Sequence, residues 1–131
     1  MPLKLDQMLN TTGTTGIGTT YDTNKAVALQ YIKYGTAQIA VKASMLEVQL
    51  SNVSSVTKLY ATLSRDDQGD NIIMTETRSD LQLGITTNTK GAALYRLDVI
   101  VRDIQDKTLY LHVRTDTGSC DVASAALTYE Y

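Results

Sequence analysis

The chain predicts an all-β fold: a two-sheet antiparallel β-sandwich, jelly-roll or Ig-like, with an extended N-terminal arm. Three observations carry this. Apolar and polar residues alternate in short segments, most clearly Leu59-Tyr60-Ala61-Thr62-Leu63, Tyr95-Arg96-Leu97-Asp98-Val99-Ile100-Val101 and Leu109-Tyr110-Leu111-His112-Val113. Residues two apart share a strand face, so each segment has one apolar and one polar side. Turn-forming clusters separate the segments with no helical periodicity between them. Several one-sided strands bury their apolar faces by packing sheet on sheet, so fewer than about a tenth of the residues are expected in helix.

Residues 1–24 read differently from the rest. Asn10-Thr11-Thr12-Gly13-Thr14-Thr15-Gly16-Ile17-Gly18-Thr19-Thr20 is a Thr/Gly tract with little to bury. Thr favours extended backbone and Gly disfavours regular structure, so an extended arm is expected, either disordered alone or ordered against a neighbouring subunit. Leu3, Leu5, Met8 and Leu9 form a short anchor ahead of it. Deleting the arm is expected to leave the isolated domain folded.

The sandwich domain is expected over 25–131, with strands near 26–33, 37–43, 45–51, 57–64, 72–77, 81–86, 92–102, 108–114 and 120–130. Turn chemistry stands between them at Tyr34-Gly35, Asp66-Asp67-Gln68-Gly69-Asp70-Asn71, Asn88-Thr89-Lys90-Gly91 and Asp116-Thr117-Gly118-Ser119. Met45-Leu46-Glu47-Val48-Gln49-Leu50 resembles a helical turn, but its strict alternation favours strand. The adjacent small residues of Ala123-Ser124-Ala125-Ala126-Leu127 predict a bulge or a switch of face. Leu59, Leu63, Leu97, Val99, Val101, Leu109, Leu111 and Val113 are the expected inward set, with Arg96 and His112 on opposite, outward faces.

Composition bounds the function. The 131 residues suit one domain, and 43% hydrophobic with 20% charged residues is ordinary for a globular protein. Eight Tyr with no Phe or Trp leave the core to aliphatic residues, with Tyr near water. A net charge of −2 and scattered Lys and Arg give no basic stripe for nucleic acid. No signal-peptide apolar run and no stretch near the ~20 apolar residues of a membrane span appears, so neither secretion nor membrane contact is expected. The single Cys120 cannot close an internal disulfide, which fits synthesis in a reducing cytoplasm.

The residues able to do chemistry are few. Arg65-Asp66-Asp67-Gln68-Gly69-Asp70-Asn71 is the one dense acidic cluster, but it lacks the D-x-D-x-D-G order and the distant Glu of a calcium loop. It reads as a solvated turn in which Asp66 and Gly69 set the backbone. Gly13, Gly16 and Gly18 have neither the spacing nor the strand–helix context of a phosphate loop. His112 lacks a second His or a Cys nearby for zinc, and its grouping with Ser119 and Asp116 lacks a nucleophile elbow. Asp121 beside Cys120 disfavours a reactive thiolate, leaving a small packing residue. Asn10-Thr11-Thr12 and Asn52-Val53-Ser54 match the glycosylation pattern by chance in a chain without a secretion signal. Tyr60, Tyr95, Tyr110 and Tyr129 could form a sugar-stacking platform only without the Trp such platforms favour, so half-buried sheet tyrosines are expected. No catalytic, cofactor-binding or metal-ligating residue is assigned.

Three segments carry a resemblance: Lys58-Leu59-Tyr60-Ala61-Thr62-Leu63-Ser64-Arg65-Asp66, Leu109-Tyr110-Leu111-His112-Val113-Arg114-Thr115-Asp116-Thr117-Gly118 and Ala126-Leu127-Thr128-Tyr129-Glu130-Tyr131. In strand and turn texture over residues 57–131 they resemble the small β-sandwich virion proteins of tailed bacteriophages, such as capsid decoration (cement) proteins and head or tail accessory proteins. The resemblance implies a non-enzymatic virion protein, made in the host cytoplasm. It would bind the major capsid protein or other virion proteins and form a homotrimer or dimer. The rival expectation on the same fold is a carbohydrate-binding module of a tail or fibre.

Overall fold

The computed structural model describes residues 5–31, 41–83, 89–101 and 108–130. Ten strands run through them: β1 (Leu5–Asn10), β2 (Thr14–Ile17), β3 (Val27–Tyr31), β4 (Val41–Ser54), β5 (Lys58–Ser64), β6 (Ile72–Asp80), β7 (Gln82–Leu83), β8 (Gly91–Val101), β9 (Leu109–Thr115) and β10 (Ser119–Glu130). A 3-10 turn at Thr23–Lys25 is the one helical element among the described residues. The protein is all-β, and every strand pair is antiparallel.

The strands hydrogen-bond in the order β6-β5-β9-β3-β1-β10-β4-β8-β7, with β2 also on β10. β6 and β7 lie at opposite ends of that order, yet Leu81 alone separates them in the chain. The β1–β3 step is narrow as well, with Met8 opposite Tyr31 and Leu9 opposite Gln30. Two broad halves lie between these joints, β6-β5-β9-β3 and β1-β10-β4-β8. Leu29, Leu59, Leu63, Leu109 and Leu111 of one half and Met8, Leu46, Tyr95 and Leu127 of the other are at most 1% exposed and belong to one core. The Tyr95 hydroxyl crosses between halves and donates to the Leu59 carbonyl at 2.6 Å.

Among its described residues, the N-terminal segment expected as an arm lies within the sheet. β1 sits between β10 and β3, paired with β10 from Leu5 opposite Glu130 to Asn10 opposite Ala125, and Met8 is fully buried. β2 continues along β10, and Ile17 joins the core. Composition misled because backbone pairing satisfies N–H and C=O groups whatever the side chains are. The tract's glycines serve the path instead. Gly13 has φ +66° and a Cβ there would fall 1.9 Å from the Val122 carbonyl oxygen, so only glycine lets the link between β1 and β2 press on β10. Asn10 closes that link by accepting the Gly13 N–H at 2.7 Å and donating to the Ala28 carbonyl at 2.8 Å.

Two of the expected strands join where they are described, residues 37–40 lying outside the described residues. The reading that split 37–43 from 45–51 meets a continuous β4 whose register shifts between Ala43 and Met45. Ala43 points inward before the shift and Leu46, Val48 and Leu50 after it, so the break in alternation was a bulge and not a turn. β10 behaves as expected at its small residues: its register shifts between Val122 and Ser124, and the inward set passes from Cys120 and Val122 to Ala125, Leu127 and Tyr129. The strand expected at 81–86 is β7 at Gln82–Leu83, with 84–86 outside the described residues. Of the expected core, Leu97 is half-buried against the cluster, while the side chains of Val99 and Val101 lie outside the described residues.

Candidate functional site

The densest polar constellation lies on the outward face of β5, β9 and β6. Tyr60 stands opposite Arg114, Thr62 opposite His112 and Ser64 opposite Tyr110. The Arg114 guanidinium lies 3.9 Å over the Tyr60 ring and 5.5 Å from the Tyr21 ring. Its fork meets Glu76, Nε to Oε2 at 3.1 Å and Nη2 to Oε1 at 2.9 Å. The Tyr21 hydroxyl donates to the same Oε2 at 2.6 Å. The Arg114 hydrogen bonds, then the Tyr21 one, hold the Glu76 carboxyl below its usual range. Burial, then its bond to Glu76, pushes the Tyr21 phenol up. The fork, both aromatic faces and the carboxylate are thus occupied with one another.

His112 is the neighbour on this face, and it is buried, not outward to solvent as its polar neighbours implied: only 5% is exposed. The 65–71 loop folds over it. The His112 Nε2 lies 2.9 Å from the Asp67 carbonyl oxygen, which only accepts, so Nε2 carries the proton. Among the described residues Nδ1 is buried without a hydrogen-bond partner. A Cβ at Gly69, which has φ +76°, would lie 3.6 Å from the His112 Cε1 atom. Asp66 Oδ1 accepts the Asp70 and Asn71 N–H groups at 3.0 Å each, and Asn71 returns its carbonyl to the Arg65 N–H at 2.9 Å. Asp66 and Gly69 therefore set the backbone of this turn. Among the described residues no group of three or more His, Cys, Asp or Glu side chains is placed to hold a metal ion.

Two further carboxylates clamp strand ends. Asp116 accepts the Thr57 and Lys58 N–H groups at 3.1 Å each and the Thr57 hydroxyl. Burial pushes its carboxyl up, but these bonds outweigh that and hold it well below its usual range. Asp121 accepts the Asn52 amide at 2.7 Å and the Gly16 N–H at 2.9 Å, which hold its carboxyl down in that order. Asn52, in one of the two sequon-like triplets, is thereby tied into a bend at φ +50°. Cys120 is a buried packing residue whose thiol is pushed up to about 11 by burial and by Asp121.

His112, Asp116 and Ser119 do not assemble. His112 and Asp116 are four residues apart along extended chain, about 13 Å, and their side chains serve different segments. The four strand tyrosines form no platform either: Tyr95 and Tyr129 are buried in the core, and Arg114 covers Tyr60. A groove of about 440 Å³ remains at the β7–β8 end, rimmed by Gln49, Ser51, Gln82 and Lys90 over Leu83 and Ala92. The sequence reading missed Tyr21, Glu76 and Arg114 as a unit. Arg114 sat at a legible polar position of its own strand, but no local signal ties it to Tyr60, Glu76 or Tyr21.

No model of a known protein family matches this chain, and no curated protein matches it. Among the described residues no helix is long and apolar enough to cross a membrane.

Proposed function

We propose that the protein is a non-enzymatic structural component of a tailed-phage particle, a decoration (cement) protein bound to the major capsid shell. Its fold would be a two-sheet sandwich made of the two four-strand halves. The observation carrying this reading is the use the chain makes of its reactive side chains. Arg114, Glu76, Asp116, Asp121 and Asp66 are spent on its own strand ends and loops, as suits a rigid building block. The texture of residues 57–131 supports the phage assignment. An N-terminal arm no longer supplies the attachment, since β1 and β2 are strands of the domain. Attachment then falls to exposed strand faces and turns, which bind through many modest contacts.

Mass spectrometry of purified particles tests this. The expected result is stoichiometric recovery with the capsid protein, and particles that become fragile to heat or low salt when the protein is omitted. Particles that lack it, or a turnover traced to a single residue such as His112, would defeat the reading.

A further inference from the structure

The outward face of β1, β10, β4 and β8 differs from the face just described, because each of its side chains among the described residues remains at least partly exposed. The register sets its side chains in rows. Gln7, Thr128, Met45 and Arg96 cross the four strands in one row, and Leu9, Ala126, Glu47 and Leu94 in the next. Lys42 and Glu130 stand side by side beyond the first row. Small and aliphatic side chains at Leu9, Ala126, Met45 and Leu94 alternate with single charges, and Leu94 is 39% exposed on a sheet face.

We propose that this face binds a second copy of the chain about a two-fold axis parallel to the strands and midway between β10 and β4. The row pattern is self-complementary about that axis. β1 then lies over β8 of the second copy, and β10 over its β4. Lys42 faces Glu130 of the second copy and Glu130 faces its Lys42, so these opposite charges are brought together twice across the axis. Leu9 meets Leu94 of the second copy, Arg96 meets its Gln7, Glu47 meets its Ala126, and no like charges oppose. A two-fold axis across the strands does worse, because it sets Arg96 against Leu94 and Met45 against Glu47. Aligned packing of two sheet faces has ample precedent in the geometry of sheets. The four strands and three rows make a footprint of about 19 Å by about 20 Å. That is small against the ~800 Å² per partner of a standard interface, so a weak, concentration-dependent dimer is expected.

This names a partner within the assembly reading above but rests on the strand register alone, so it fails or holds whether or not the protein is found in particles. Cysteines at positions 9 and 94 test the geometry. Within one chain they are three strands apart, roughly 14 Å, too far for a disulfide, and Cys120 is buried. Under mild oxidation the full-length Leu9→Cys/Leu94→Cys protein is expected to form a covalent dimer, while either single variant stays monomeric. In sedimentation equilibrium the unaltered protein should rise above 14.3 kDa with concentration. Leu94→Glu should weaken that association about tenfold or more with an unchanged unfolding midpoint. Lys42→Glu should weaken it, and Lys42→Glu/Glu130→Lys should restore it. A 14.3 kDa mass at every concentration, or single variants that cross-link as readily as the double, would overturn the proposal.

Discussion

The two outward sheet faces of this molecule are built from strands of the same alternating kind and end differently. On β5 and β9 the polar side is finished by the chain itself: Tyr21 and Glu76 enclose Arg114, and the 65–71 loop covers His112. On β4 and β10 the corresponding side is more open among the described residues, with Met45, Ala126 and Thr128 half-buried. Alternation assigns each residue to a face. It does not say whether that face meets water, a loop or another molecule, because the covering segments come from far along the chain.

The N-terminal segment serves both regions, so removing it has the largest expected effect. Without residues 1–24, β10 loses its partner along one whole edge and Arg114 loses Tyr21. The truncated protein is expected to show no cooperative unfolding by circular dichroism. Met8→Ala alone, at a fully buried site, should cost about 2–5 kcal/mol in denaturant titration. A truncated protein that melts like the full chain would reinstate a dispensable arm.

The next effect separates the two faces directly. His112→Ala should cost about 1–3 kcal/mol, because it leaves the Asp67 carbonyl without its donor under the loop. Arg96→Ala, on the open face, should stay within about 0.5 kcal/mol at concentrations where the protein is monomeric. Equal costs would show that the open face is also filled from within the chain.

Arg114→Ala belongs between these. Its ion pair with Glu76 is partly exposed, so about 1 kcal/mol is expected from pair and ring contact together. The same loss should appear with Glu76→Gln, and the double variant should cost less than the sum of the two singles. Full additivity would mean that the cluster does not act as a unit.

Acid and base should act on the closed region and the strand clamps. Glu76, Asp116 and Asp121 have carboxyls held below their usual range, so their contribution is complete above about pH 4 and fades as pH falls through the depressed values. At the other end, burial raises the Cys120 thiol to about 11 and lifts the Tyr21 and Tyr95 phenols. The Cys120 contribution is whole below about pH 9 and is lost as pH rises through about 11, while that of the two tyrosines starts to fall only above about pH 10 and persists beyond that. Melting temperature against pH checks both limbs, and a profile flat from pH 3 to 11 would contradict them.

Much of the strand inventory was legible in the residues themselves. Period-two alternation placed β5, β8, β9 and β10 nearly to their ends, and the run of small residues from Ala123 announced the bulge that turns β10 over. Leu59, Leu63, Leu109, Leu111 and Val113 were readable as core because a strand has only two sides. The polar cluster was not readable, since Tyr21, Glu76 and Arg114 belong to three separate segments and none carries a local motif.

Residue chemistry alone therefore determined the all-β class, most strand positions and the inward face of the best-patterned strands. These follow from backbone sterics and from the two-residue repeat of an extended chain. Only the tertiary structure decided that β1 lies beside β10, that β4 runs unbroken through its bulge, and that His112 is roofed over. Each depends on which distant segment supplies the second half of a hydrogen bond or the lid over a side chain. Backbone groups pair without regard to side-chain identity, so a Thr/Gly tract could occupy the middle of the sheet unannounced.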